Sequence, residues 1–153
     1  MARGFALHPQ LAADTHEVGH LDLCRVLLAK DSSFPWLILV PERDGVREIH
    51  ELSDTDQSTL LSEVTRATAA LGALFAPDKL NVAALGNAVP QLHVHVVARY
   101  RTDRAWPRPI WGTGPAAPYE EGRLASVLAR LRAALVSGRA PVRSSRRGTG
   151  GRR

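Results

Sequence analysis

Cysteine and long apolar runs are nearly absent from this 153-residue chain. Its one cysteine, Cys24, excludes an internal disulfide and leaves no cysteine pair spaced to bind a metal. No uninterrupted apolar run approaches the ~20 residues that a membrane helix needs. The residues after Met1 also lack the apolar stretch of a secretory signal. We therefore expect a cytoplasmic protein in which Cys24 is a buried structural thiol.

Acidic residues are absent from residues 139–153, whereas six of the 20 basic residues, all arginines, lie there. The remaining chain then has 14 basic and 15 acidic residues, so it is nearly neutral despite the overall net charge of +5. A polar segment of this kind cannot bury enough apolar surface to fold alone. We predict one domain over residues 1–138 and a disordered Arg-rich tail over 139–153. We expect this tail to be a solvated, dispensable extension. Contact with nucleic acid or an acidic partner is the alternative, and it is considered only for this tail.

Apolar patterns separated by turn residues predict a mainly antiparallel sheet. Strands over 21–28 and 36–40 flank a loop-like segment, so they are expected to form a hairpin. The second of them is apolar on both faces, which favours a central position in the sheet. A short strand over 80–85 precedes the next strand by only a few residues, which favours antiparallel pairing of the two.

Two main helices are predicted beside this sheet. The first begins at Ser53, the expected N-cap, with Asp56 in the third position of a capping box, and it ends before Pro77. The second is expected from Pro118 to residue 137, with Gly138 as its C-cap. Strands and helices that do not alternate regularly indicate the α+β class.

The segment 101–118 is too rich in proline and glycine for regular structure, yet it has two tryptophans. We predict an ordered loop that packs against the domain. Trp106 and Trp111 are expected to cover a site or a dimer seam, and stacking on a base is the alternative.

A polar–apolar alternation marks residues 91–97, which read Gln-Leu-His-Val-His-Val-Val. Successive side chains of a strand point to opposite faces, so Gln91, His93 and His95 are expected to share one face, roughly 7 Å apart. Imidazole changes charge near neutral pH and can act as a nucleophile. Two histidines directed into one site therefore indicate a catalytic role.

Two other interpretations of the histidine pair stay open. The alternation fits a plain structural role on a sheet face, and His-x-His on a strand can also chelate a metal ion. No third ligand is obvious for a metal, and the chain has no Walker-type phosphate loop or carboxylate cluster. We therefore expect neither a metal nor a cofactor.

The segment 91–97 resembles the signature of the histidine-triad (HIT) family of nucleotide hydrolases and transferases. That signature reads His-φ-His-φ-His-φ-φ, where φ is apolar, and this chain matches it at six of seven places. The preceding Gly-Asn-Ala-Val-Pro at 86–90 is similar to the family's Gly-Gln-Ser/Thr-Val element. Weaker similarities at 37–43 and 79–82 extend the resemblance over about residues 20–100.

The resemblance implies an α+β fold whose homodimer builds a continuous sheet, with a purine-nucleotide site over the motif strand. His93 takes the position of the nucleophile, which attacks an α-phosphorus and forms a nucleotidyl-histidine intermediate. The other nitrogen of this imidazole must stay protonated, often through a backbone carbonyl that accepts its hydrogen. His95 is then placed to donate to a phosphoryl oxygen or to help protonate the leaving group. Gln91 completes the implied catalytic set.

Four residues are assigned to nucleotide or phosphate binding by the same resemblance. Gly86, Asn87 and Ala88 form the loop before the motif, and Asn87 can donate an amide hydrogen to the phosphate or the departing group. Asn81 either contacts the ribose or base or caps the end of its strand.

The chain departs from the family pattern at three positions, Gln91, Ala88 and Asn87. Gln91 replaces a histidine and cannot relay a proton, so Gln91→His should raise turnover if that relay limits the rate. Ala88 lacks the family's hydroxyl group, and Asn87 is shorter than the family's glutamine. Each lost hydrogen bond to a charged group costs about 1.5–3 kcal/mol.

Two functions therefore remain open from the sequence. One is an enzyme that cleaves dinucleoside polyphosphates or nucleoside phosphoramidates through His93. The other is a nucleotide-binding regulatory module with little turnover.

Overall fold

The computed structural model describes residues 4–136, so the predicted tail and the Gly138 cap lie outside the described residues. Within that range the chain forms five strands, three α-helices and one 3-10 turn at Ile49–Glu51. In chain order the elements are α1 (Pro9–Asp14), β1 (Thr15–His20), β2 (Cys24–Ala29), β3 (Trp36–Pro41), α2 (Asp54–Phe75), β4 (Lys79–Ala83), β5 (Val94–Arg99) and α3 (Glu121–Leu135).

The five strands form one sheet in the order β1-β2-β3-β5-β4, and every neighbouring pair is antiparallel. This confirms the predicted α+β class with an antiparallel sheet. The β2–β3 hairpin and the pairing of β4 with β5 also form as predicted. β3 is the middle strand and is buried at five of its six positions, because the sheet is covered on both faces.

The two faces of the sheet have different coverings. α2 and α3 pack on one face, where Val26, Leu39 and Val96 join helix residues such as Leu71 and Leu131 in the largest core cluster. Strand residues between these positions point to the opposite face, because side chains alternate along a strand. That second face is covered by the N-terminal residues and by the segment 101–118. The site described below lies on the second face.

The N-cap of α2 is as predicted, but the capping box is only half made. The Ser53 hydroxyl accepts the backbone N–H of Asp56 at 3.1 Å. The Asp56 carboxylate does not complete the reciprocal bond of a capping box, because it pairs with the Arg43 guanidinium at 2.7 and 2.9 Å. Sequence spacing alone cannot detect this competing partner.

α1, β1 and the second main helix differ from the predictions. α1 and β1 were not predicted, and the second main helix begins at Glu121 rather than at Pro118. The backbone of residues 117 and 118 is held outside the helix by the β2–β3 loop. There the Ser32 N–H donates to the Ala117 carbonyl at 2.7 Å, and the Ser32 hydroxyl donates to the Pro118 carbonyl at 3.2 Å.

No helix within residues 4–136 is both long enough and apolar enough to cross a membrane.

Candidate functional site

A cavity of about 670 Å³ opens on the face of the sheet opposite α2 and α3. Its walls come from α1, the β2–β3 hairpin, the loop at 85–89, the motif segment and residues 104–116. Both motif histidines, His93 and His95, line it. A second cavity of about 410 Å³ adjoins the first and shares Leu85, Gly86 and His93 with it.

The motif segment is not one continuous strand, which corrects the expected alternation. β5 begins at Val94, so Gln91 and His93 precede it. His93 and His95 are nevertheless neighbours, with ring centroids 4.9 Å apart and planes at 75°. Both are buried, at 7% and 6% exposure, so these imidazoles face the cavity rather than bulk water.

One nitrogen of His93 is engaged by the backbone. Its Nδ1 lies 2.7 Å from the carbonyl oxygen of Gln91. A carbonyl can only accept a hydrogen bond, so Nδ1 donates and the neutral ring has its lone pair on Nε2. The contact therefore selects the tautomer that a nucleophilic Nε2 requires.

In His95 the ring hydrogen and the lone pair are on the opposite nitrogens from those in His93. The indole N–H of Trp36 donates to Nδ1 of His95 at 3.0 Å, so the hydrogen of the neutral ring is on Nε2. Burial, and to a lesser degree the nearby His93, lowers the pKa of His95 to about 4. Trp111 and this ring form a T-shaped contact, with centroids 5.0 Å apart and planes at 74°. At neutral pH His95 is therefore an uncharged hydrogen-bond donor.

The loop before the motif brings Gly86, Asn87 and Ala88 to the same cavity. Gly86 has φ +75°, a left-handed conformation that glycine adopts without steric cost. The two residues that follow this glycine line the cavity together with His93. Three of the four predicted nucleotide-binding residues are thus brought together with both histidines.

Gln91 and Asn81 do not line the cavity that His93 and His95 share. The Gln91 carboxamide is bonded to the N-terminal segment instead: its Oε1 accepts the His8 N–H and its Nε2 donates to the Ala6 carbonyl, each at 2.9 Å. Asn81 sits on β4, where its Oδ1 accepts from Arg99 at 2.8 Å. Both side chains are held by partners that lie far from them in sequence.

Arg99 organises the loop that covers the site. The guanidinium is 2% exposed, pairs with Asp103 at 2.8 Å and donates to the Arg108 carbonyl at 2.8 Å. Desolvation opposes the charge on Asp103, but hydrogen bonds from Arg99 and from backbone N–H groups lower its pKa to about 2. Trp106 lies over this guanidinium at 5.8 Å, so of the two loop tryptophans only Trp111 lines the cavity.

Several cavity residues were missed by the sequence reasoning, among them Gln10, Asp14, Asp31, Trp36 and Arg104. Asp31 accepts hydrogen bonds from the backbone of residues 33 and 117 and from Arg104. Burial opposes its charge, but these donors keep the pKa of Asp31 below its usual range. Its only sequence signal was a position in the predicted hairpin loop.

A metal site is not completed by the described residues. Within 4–136, no group of three or more histidine, cysteine or acidic side chains is arranged to hold a metal ion. The chelating interpretation of His93 and His95 therefore gains no third ligand there.

Comparisons with known proteins agree with this fold. The HIT domain model matches residues 10–102. A histidine triad protein from Marinobacter aquaeolei has a structure with a TM-score of 0.85 and 50% sequence identity, covering 88% of this chain and 98% of that one. One from Bradyrhizobium japonicum has a TM-score of 0.85 and 42% identity, over 87% and 99% of the two chains. A search of curated proteins gives no match.

HIT domain proteins are in general nucleotide-binding hydrolases and transferases. The family model covers more than half of the chain, including the Gly86 loop and both cavity histidines. The chain therefore belongs to the HIT domain family.

Proposed function

We propose that this protein is a nucleotide hydrolase or nucleotidyl transferase that cleaves at an α-phosphorus through His93. The observation that carries the proposal is the 2.7 Å contact between Nδ1 of His93 and the Gln91 carbonyl. It leaves the lone pair of the ring on Nε2, the nitrogen available for attack. A neutral imidazole held in this tautomer needs no separate base before it reacts.

The proposed reaction has two displacements at the same phosphorus. In the first, the Nε2 lone pair of His93 forms an N–P bond while the bond from phosphorus to the leaving group breaks, and its electron pair departs with that group. In the second, water attacks the phosphorus, the N–P bond breaks with its electron pair returning to Nε2 of His93, and a nucleoside monophosphate leaves. The proton that the attacking water releases to solvent balances the proton that the first leaving group takes up from solvent. An acceptor other than water gives nucleotidyl transfer.

We propose that His95 stabilises negative charge on the reacting groups by a hydrogen bond while its own ring stays neutral. With Nδ1 occupied by Trp36, its Nε2–H can donate to a non-bridging phosphoryl oxygen or to the departing atom. Its pKa of about 4 keeps the ring neutral at physiological pH. Asn87, in the same cavity, is proposed as a second donor.

The proposed substrate is a purine nucleotide conjugate, either a dinucleoside polyphosphate or a nucleoside phosphoramidate. The volume of about 670 Å³ lies within the range of small-molecule sites. Apolar Leu11 and Ile38 and the 39%-exposed Trp111 offer surfaces for a base. The adjoining cavity, which Arg47 lines, offers a cationic side chain to a longer phosphate chain.

We also propose a homodimer joined along β4, and a cytoplasmic location. β4 is an edge strand whose outer side is unpaired within residues 4–136, and open edges favour pairing with another strand. Val82 on this strand is 50% exposed. Light scattering of the parent and of Val82→Lys tests this proposal: the parent should have the mass of a dimer and the variant a larger monomer fraction. A monomeric parent at micromolar concentration contradicts it.

Intact-protein mass spectrometry after rapid mixing with an adenosine phosphoramidate or a diadenosine polyphosphate tests the reaction. The parent should form an acid-labile nucleotidyl adduct, and His93→Ala should form none. His20→Ala, which removes an exposed histidine on β1, is the matched control and should form the adduct like the parent. If the parent forms neither adduct nor product while calorimetry detects nucleotide binding, the protein is a binding module and the proposed reaction is wrong.

A further inference from the structure

Residues 4–14 form an N-terminal strap that crosses the cavity side of the sheet. Its Phe5, Leu7 and Leu11 pack in one apolar cluster with Ile38 and Val89. Further along the strap, Gln10, Leu11 and Asp14 line the cavity itself. The strap is therefore both a packed element and a wall of the site.

Gln91 joins this strap to His93. Its side chain makes two hydrogen bonds to strap backbone, one from the His8 N–H and one to the Ala6 carbonyl, each 2.9 Å long. Its own carbonyl accepts Nδ1–H of His93 at 2.7 Å. One residue thus contacts the strap with its side chain and the imidazole with its main chain.

The Gln91 carbonyl lies outside the strand ladder, because β5 begins only at Val94. One neighbouring bond restrains the same peptide unit, since the Leu92 N–H donates to the Val46 carbonyl at 3.0 Å. The peptide unit is thus restrained by the Leu92 N–H bond, and the Gln91 side chain restrains the same residue through its two bonds to the strap.

We propose that Gln91 is a positioning residue that couples the strap to the tautomer of His93. This inference rests on the proposed function for its catalytic consequence, whereas the coupling itself is a property of the folded protein. When the strap is seated, the carboxamide of Gln91 holds its carbonyl where it accepts Nδ1–H and leaves Nε2 free. We call the two hydrogen bonds between the Gln91 carboxamide and the strap the clamp. When the clamp is broken, the Gln91 carbonyl turns away from His93 more often, and the imidazole samples both neutral tautomers. The glutamine thus acts through geometry, without transferring a proton.

A pair of substitutions at His8 cuts the clamp without changing Gln91. His8→Pro removes the backbone N–H that Oε1 of Gln91 accepts, and the φ of −56° at this residue suits proline. His8→Ala keeps that N–H. Both variants lose the imidazole that caps α1 through the Gln10 N–H, so they differ in the clamp bond.

The first readout is the tautomer of His93, from side-chain nitrogen NMR of the full chain without nucleotide. The parent and His8→Ala should show the Nδ1–H form alone, whereas His8→Pro and Gln91→Ala should show a mixture. This measurement does not depend on turnover. It therefore separates a failed clamp from a failed proposed function.

The second readout is the single-turnover rate of adduct formation at saturating nucleotide. His8→Pro should be about fivefold slower than His8→Ala, the effect of losing one ordinary hydrogen bond. In a Gln91→Ala background the two His8 variants should react equally, because the clamp is already lost. The proposal is overturned if His8→Pro matches His8→Ala in both tautomer and rate, since the Val46 bond alone would then hold the carbonyl.

Discussion

His95 should make this protein less stable in mildly acidic solution. Burial, with His93 as a smaller contribution, lowers the pKa of His95 from 6.5 to about 4 in the folded chain. Between these values the unfolded chain binds a proton that the folded chain does not, so stability falls as the pH falls through this window. Integration from pH 7 to pH 5 gives a loss of about 2 kcal/mol from this residue, and the loss levels off at about 3 kcal/mol below pH 4.

His95→Gln removes this titration, so the variant should lose about 2 kcal/mol less than the parent when the pH changes from 7 to 5. The measurement is the free energy of unfolding from urea titrations at both pH values and constant salt. Asn87→Ala changes another cavity residue that does not titrate, and its pH dependence should match that of the parent. If the parent and His95→Gln lose the same stability between pH 7 and pH 5, burial does not keep this imidazole neutral in the folded chain.

Four further changes test separate parts of the structure. Trp36→Phe removes the indole donor to His95 and should slow adduct formation about fivefold in rapid-mixing mass spectrometry. Ser53→Ala removes the cap of α2 and should cost about 1 kcal/mol in urea titrations. Leu71→Ala leaves a cavity in the core and should cost about 2–5 kcal/mol by the same method. Gln91→His should lower the single-turnover rate because it breaks both strap contacts; a higher rate would instead support the proton-relay hypothesis.

The fold was predictable where local pattern determines structure. The β2–β3 hairpin, the β4–β5 pair and α2 follow from short connections, apolar runs and the Ser53 cap. β1 was not predictable in this way, because it is an edge strand in which only Thr15 and Val18 are buried. A strand with two buried residues of six has almost no alternation to detect.

The site was predictable only where its parts are close in sequence. The Gly86 loop and the two histidines lie within ten residues of one another, and the structure places them on one cavity. Asp14, Trp36 and Arg104 reach the same cavity from distant segments, so only the three-dimensional packing brings them there. The direction of the Gln91 side chain likewise depends on backbone atoms 83 and 85 residues away.

The two imidazoles differ because of what lies behind them. Nδ1 of His93 contacts a carbonyl oxygen, which can only accept a hydrogen bond, so the lone pair of the ring is on Nε2. Nδ1 of His95 contacts an indole N–H, which can only donate a hydrogen bond, so the hydrogen of the ring is on Nε2. Two identical side chains on one cavity thus differ chemically, because one has a lone pair on Nε2 and the other has a hydrogen there. The motif supplies the histidines, whereas the main chain of Gln91 and the side chain of Trp36 assign their roles.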